Sequence, residues 1–222
     1  MWHRIREKKP GMGKGRINYY IVDETDPYDE FECEGKVVET FFSTSPIFNL
    51  KNSRSVIRPK SDVEAKLKRE TRRLLNIFHL AAHGAYYRKT RNKLDYSCIY
   101  GKRGKKEREI FRPDTIVRAE LQADLFLSTC CNTFNDFFLE EMNGYGEVYN
   151  FIAPKDDPLI GDTTIFSLMF YNELLRQIKI SQKQIPDDEI RKAFQITNKA
   201  YKSYKGIGKF RLYNYHDDRV YE

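Results

Sequence analysis

Along this chain, short apolar runs that end at a turn or a polar residue alternate with longer stretches whose apolar positions recur every three or four residues. The first pattern predicts strands and the second amphipathic helices. "RINYYIV" (16–22) is aromatic and β-branched and predicts a strand, and "KVVETFFST" (36–44) a second one. The acidic 23–35 stretch between them and "NLKNSRSVIRPKS" after them have no period. "SDVEAKLKRETRRLLN" (61–76) opens on a Ser/Asp cap and puts Val63, Leu67, Thr71, Leu74 and Leu75 on one helical stripe. It runs into "NIFHLAAHG", whose continuous apolar part, 76–82, predicts a strand buried on both faces and ended by His83 and Gly84.

The second half continues the alternation. "KLDYSCIYG" and "EREIFR" flank a basic, Gly-containing turn and predict a hairpin. "RPDTIVRAELQ" offers a helix start at its proline, with Ile116, Val117, Ala119 and Leu121 as the buried side. "ADLFLSTC" is another buried-strand run, and the chain before it is long enough to bring it back parallel to the 76–82 strand. Next come a helix in "FNDFFLEEMNG" closed by Gly144, and a strand in "EVYNFIAP" stopped by Pro154. A helix with Asp162 as N-cap should then lie against the sheet. "PDDEIRKAFQITNKAYKSYKG" places Ile190, Phe194, Thr197, Tyr201 and Tyr204 on one face, with Gly206 closing it. "KFRLYNY" predicts a last strand. The expected class is α/β, a three-layer α/β/α sandwich with a largely parallel central sheet.

With 222 residues, 40% of them apolar, the chain can build one sizeable core, so a single domain over 17–222 is expected after a basic, mobile tail of 1–16. The net charge of +7 and pI near 9.1 reside largely in that tail and in the stretch from Arg88 to Arg112. Such clusters fit a nucleic-acid partner, and aromatics interleave with the second one. No nucleic-acid fold signature accompanies them, and a solvated loop is the plainer account. No run approaches the roughly 20 apolar residues of a membrane span, and the N-terminus lacks an apolar signal core, so a cytoplasmic protein without a membrane partner is expected. Cys33, Cys98, Cys130 and Cys131 make neither a disulfide framework nor a zinc spacing, and reduced thiols without a metal or other cofactor are expected.

In open α/β sheets, chemistry-bearing side chains lie where strands end at their carboxyl termini. His83 follows one predicted buried strand, and Cys130 and Cys131 follow another. If the strands are neighbours, an imidazole and a thiol share one crevice, the arrangement of an acyl-transfer dyad. Gly84 would let backbone approach a substrate and present its N–H, with the amide of the nucleophile itself as a second oxyanion donor. His79 and His83 could instead form a metal pair, but the apolar run carrying them is too short for a confident helix and lacks the glutamate of a zincin motif. A hydrogen-bonded core histidine is the better account of His79.

"HLAAHG" followed by "ADLFLSTCCNT" resembles the CHAT group of caspase-like cysteine peptidases, which share a clan with caspases, separase and gingipains. The intervening hairpin and "RPDTIVRAEL" also fit, as do, more weakly, "DDPLIGDTTIFSLMFYNELL" and "KFRLYNY"; the resemblance covers about 64–215. It implies His83 as general base, Cys131 as nucleophile, and the amides of Gly84 and Cys131 as oxyanion donors. A gapless match from Ala123-Asp124 selects Cys131 and sets Thr133 on the family's threonine, whereas matching "LSTC" alone selects Cys130. The family's glycine-rich stretch after the cysteine is shortened here, and a tryptophan before its later aspartate is missing. Asp156 and Asp157 are candidates for the wall of a substrate pocket, and a solvated acidic loop is the plainer reading of both. The resemblance thus implies a cysteine endopeptidase acting on protein substrates, switched on by an activator protein, in bacterial defence or regulated cleavage. The alternatives are an inactive caspase-like interaction module and a basic nucleic-acid-binding protein.

Overall fold

Strand formation follows the β-branched and aromatic runs, and the burial of both strand faces sets the architecture. The computed structural model describes residues 17–23, 34–48, 75–87, 96–103, 106–111, 116, 118–145, 147–178, 184–203 and 210–222. The expectations for the 1–16 tail, the 61–74 helix, Val117, Tyr204 and Gly206 lie outside these residues.

The elements are β1 (Tyr19–Asp23), α1 (Glu34–Ser43), β2 (Leu75–Ala81), β3 (His83–Tyr87), β4 (Tyr96–Arg103), β5 (Lys106–Phe111) and β6 (Gln122–Ser128). They continue with α2 (Asp136–Tyr145), β7 (Glu147–Pro154), α3 (Ile160–Gln177), α4 (Asp187–Ser203), β8 (Phe210–Asn214) and β9 (Arg219–Tyr221). A six-stranded sheet has the order β1-β2-β6-β7-β8-β9, parallel through β7 and antiparallel beyond it. β3, β4 and β5 form a separate antiparallel sheet. The protein is therefore α/β with a mainly parallel mixed sheet, and the parallel return of β6 onto β2 is as the sequence predicts.

Alternation along the strands divides the core in two. Tyr20, Val22, Phe78, Leu80, Phe126 and Phe151 pack with Phe138 and Met142 of α2 and with Ile116 and Ala119. Tyr19, Ile21, Ile77, Leu125, Leu127 and Ile152 pack with α1, α3 and α4. Helices thus cover both faces, an arrangement compatible with three layers.

Three expectations need correction. The stretch 36–44 is helix, not strand. Val38 and Phe42, one turn apart, are fully buried against Tyr19, Phe48 and Tyr171, so helical spacing of core contacts overrides the strand propensity of "VVETFF". Thr40 and Ser43 turn their hydroxyls back onto the carbonyls of Lys36 and Thr40. Asp162 is not the N-cap of α3: that position is Leu159, with extended backbone and no side-chain cap, and Asp162 lies in the first turn, where a carboxylate favours the helix dipole. The predicted hairpin is present as β4–β5, but His83–Tyr87 adds a third strand to it.

A row of buried polar side chains crosses the amino end of the parallel strands. Asn76 accepts from the Asn18 amide at 2.9 Å and donates to Asp124 at 2.6 Å. Asp124 also accepts from the Ile185 amide at 3.0 Å, just before α4. Asn150 donates to the Asp124 carbonyl at 3.0 Å and to the Asp187 carboxylate at 2.7 Å, and accepts from Asn214 at 2.9 Å. Six chain segments are stitched together at the end of the sheet opposite the cysteines. Asp124→Ala strands at least two buried donors and is expected to lower stability by about 2–4 kcal/mol in urea unfolding, while leaving the reactivity of Cys131 unchanged in rank among the thiols.

Candidate active site

Three adjacent parallel strands deliver their carboxyl ends to one edge. β2 pairs with β6 with Leu80 opposite Ser128, and β6 pairs with β7 with Leu127 opposite Ile152. Just past these positions come His83 and Gly84 after β2, Cys130 and Cys131 after β6, and Asp156 and Asp157 after β7. The ladder between β2 and β6 runs on for one more bond, from the Thr129 amide to the Leu80 carbonyl at 2.9 Å, and the Thr129 hydroxyl reaches the same oxygen at 3.2 Å.

Beyond that bond the chain turns, and a set of short-range hydrogen bonds fixes the turn. The Thr133 hydroxyl donates to the Cys130 carbonyl at 2.8 Å and lies 3.0 Å from the Ser128 hydroxyl, which accepts the Cys130 amide at 3.3 Å. Asn132 occupies the left-handed region at φ 54°, which asparagine tolerates better than most residues. Two bonds strap this turn to the segment after β7: the Asn132 amide to the Asp156 carbonyl at 3.1 Å, and the Phe134 amide to the Pro154 carbonyl at 3.0 Å. The Asn132 side chain closes a further bond onto the Asp157 carboxylate.

Gly84 sits directly on this turn. A methyl group placed on it would lie 2.1 Å from the Cys131 carbonyl oxygen and 2.9 Å from the Cys131 nitrogen, so only glycine fits. The backbone amides of Gly84 and Cys131 pull the Cys131 thiol down. The two thiols differ in kind. Cys130 is fully buried among Leu80, Phe126 and Phe134, its sulfur 3.8 Å from the Leu80 carbonyl, and burial pushes it up to about 12. Cys131 is half-buried. Burial first, then the charge of Asp157 and a hydrogen bond from the thiol to its carboxylate, push Cys131 up to about 11, against the opposing pull of the two amides.

His83 opens β3, pairs with Tyr100 across to β4, and is half-buried with Nε2 shielded from solvent. Asp156 is exposed and contributes its carbonyl to the strap, and Asp157, also exposed, is the acid that reaches Cys131. The solvated-loop reading of the two acids therefore fits Asp156 better than Asp157. His79 and His83 lie on different strands, and His79 is the core histidine expected of it: fully buried, with Nδ1 2.9 Å from the Tyr171 hydroxyl.

Behind the cysteine turn lies a group that the sequence pattern did not single out. Glu34 is buried at the start of α1, where it accepts the hydroxyls of Thr163 and Ser167, both at 2.8 Å. His79 Nε2 is 3.6 Å away, too long for a hydrogen bond, and burial pushes His79 down to about 3, so its ring is neutral. Burial raises Glu34 to about 7 against the pull of the hydroxyls, and Asp23 adds to the rise. Because the folded carboxyl titrates above its ordinary 4.5, its contribution to stability is full below that pH and is lost as pH climbs through about 7. His79 acts oppositely: its contribution is full above 6.5 and is lost as pH falls toward 3. Glu34→Gln, which keeps the uncharged form, is expected to gain on the wild type by on the order of 2 kcal/mol between pH 4.5 and pH 8, read from urea midpoints across pH. An unchanged difference across that window excludes the titration of Glu34.

Comparison with known proteins finds no matching family model and no matching curated relative. Among the described residues, no helix is long and apolar enough to cross a membrane.

Proposed function

We propose that the protein is a caspase-like cysteine endopeptidase in which Cys131 is the nucleophile and His83 the general base. The observation that carries this reading is the seating of Gly84 on the Cys131 backbone at the carboxyl ends of adjacent parallel strands. In the proposed reaction His83 takes the thiol proton and the thiolate attacks a peptide carbonyl. The Gly84 and Cys131 amides hold the oxyanion, and His83 returns the proton to the leaving amine. Water activated by His83 then releases the acyl group from the thioester. The chemistry needs no metal or other cofactor. The resemblance of "HLAAHG" and "ADLFLSTCCNT" to CHAT peptidases supports the caspase-like assignment, a protein substrate, and release by an activator protein in a bacterial defence or regulated-cleavage setting.

A second reading, an inactive interaction module, is favoured by the surroundings of the thiol: burial first, then the charge of Asp157, raise Cys131 to about 11. A peptide library incubated with the protein and read for new termini by mass spectrometry separates the two. Cleavage that disappears in His83→Ala supports the peptidase. No cleavage in the presence of a thiol probe that labels all accessible cysteines equally counts against the dyad.

A further inference from the structure

Two contacts hold the Cys131 backbone. Gly84 is seated so closely on it that a methyl group at Gly84 would lie 2.1 Å from the Cys131 carbonyl oxygen. The residue directly after the cysteine, Asn132, ties the turn to the segment after β7. Its amide donates to the Asp156 carbonyl at 3.1 Å and its side chain to the Asp157 carboxylate, while the Phe134 amide donates to the Pro154 carbonyl at 3.0 Å. We infer that Asn132 is a positioning residue: its side-chain bond to Asp157 holds the segment after β7 against the turn and so fixes the backbone of Cys131 beside Gly84.

The backbone seam alone is thin. Residues 132 and 134 meet 156 and 154 in antiparallel order, but Pro154 has no N–H with which to return the bond it accepts. The Asn132 carbonyl accepts from the Asn135 side chain at 2.6 Å, and the Asn135 oxygen in turn accepts the Phe138 amide at 2.9 Å, at the start of α2. The side-chain tie from Asn132 to Asp157 adds a third bond at the end of the seam nearest Cys131, and its carboxylate acceptor makes it charge-assisted. Cys130 before the tie is pinned by the Thr133 and Ser128 hydroxyls, and Asn135 after it is joined to α2. A loss of the tie is therefore felt between them, at Cys131. Because Gly84 abuts backbone atoms there, a displaced Cys131 changes the separation of the two amides proposed to hold the oxyanion. The inference rests on the peptidase reading and deepens it, while the tie itself can be measured without any cleavage.

The test is made on the full chain with two readouts: hydrogen exchange of the Phe134 amide, which reports the neighbouring bond of the seam, and kcat and KM on a cleaved peptide. Asn132→Gly removes the side-chain donor, adds no charge, and keeps access to the left-handed backbone at φ 54°. It is expected to speed Phe134 exchange about tenfold and to lower kcat about tenfold or more, with KM within about twofold. Asn132→Asp, which tolerates the same backbone but sets two carboxylates against each other, should do likewise. Adding Asp157→Asn to Asn132→Asp exchanges donor and acceptor and keeps one carboxylate in the pair. This double variant is expected to recover Phe134 exchange and kcat to within about threefold of the wild type, a rescue that general damage to the fold would not give. Wild-type exchange in Asn132→Gly, or a double variant no better than Asn132→Asp alone, overturns the inference. Faster exchange with wild-type kcat also overturns it, and leaves the peptidase reading standing. A wild type that cleaves no peptide removes the peptidase reading and the positioning role with it, even where exchange shows the tie to be present.

Discussion

Cys131→Ala is expected to abolish peptide cleavage, lowering the rate by on the order of 10⁴-fold or more, while Cys130→Ala keeps it within about twofold. The two residues are neighbours in sequence but belong to different parts of the molecule. Cys130 is part of the core beside Phe126 and Phe134, and its loss removes one buried sulfur, a cost of about 1 kcal/mol in stability. Cys131 is half-buried, in the turn on which Gly84 is seated. Rates on a cleaved peptide, with urea unfolding of both variants, check the pair. Retained activity in Cys131→Ala, or a dead but fully folded Cys130→Ala, reverses the assignment.

Gly84→Ala is expected to be the most damaging substitution that adds a single carbon. The new methyl would stand 2.1 Å from the Cys131 carbonyl oxygen and 3.1 Å from the Cys130 carbonyl carbon, and both obstacles are backbone, which no rotamer change can relieve. Either the His83–Gly84 segment or the cysteine turn must move. The expected stability cost is about 1–3 kcal/mol, and cleavage should fall by about 10²-fold or more because the oxyanion donors separate. Since activity should fall far beyond what the stability loss explains, the informative comparison is kcat for the folded fraction, measured well below the unfolding midpoint. Wild-type kcat in Gly84→Ala would exclude the close seating of glycine on the cysteine turn.

Much of this was legible in the chain because buried parallel strands write themselves as continuous apolar runs. 76–82, "ADLFLSTC" and "EVYNFIAP" are β2, β6 and β7 within a residue or two, and their ends locate His83, the cysteines and the two aspartates. Legibility failed where tertiary contacts chose between periods. "KVVETFF" has strand residues but buries Val38 and Phe42 on one helical face, a choice decided by Tyr19 and Tyr171, both remote in sequence. The bonds between the cysteine turn and the segment after β7 were invisible for a related reason: they join segments that meet only because β6 and β7 are neighbours. An asparagine directly after the cysteine was the available local signal, as a residue suited to a left-handed turn. Glu34 gave no signal at all, since a glutamate in an acidic, aperiodic stretch reads as solvated until α1 is seen to bury it.

The proposed base and nucleophile are not carried by the same sheet. Cys131 extends from the six-stranded sheet, while His83 is the first residue of the β3–β5 sheet and pairs there with Tyr100. Only Ala82 separates β2 from β3, so the two sheets join directly beside the cysteine turn on which Gly84 is seated. The placement of His83 beside the cysteine turn therefore rests on that joint and on the seating of Gly84, not on ladder bonds between the two sheets.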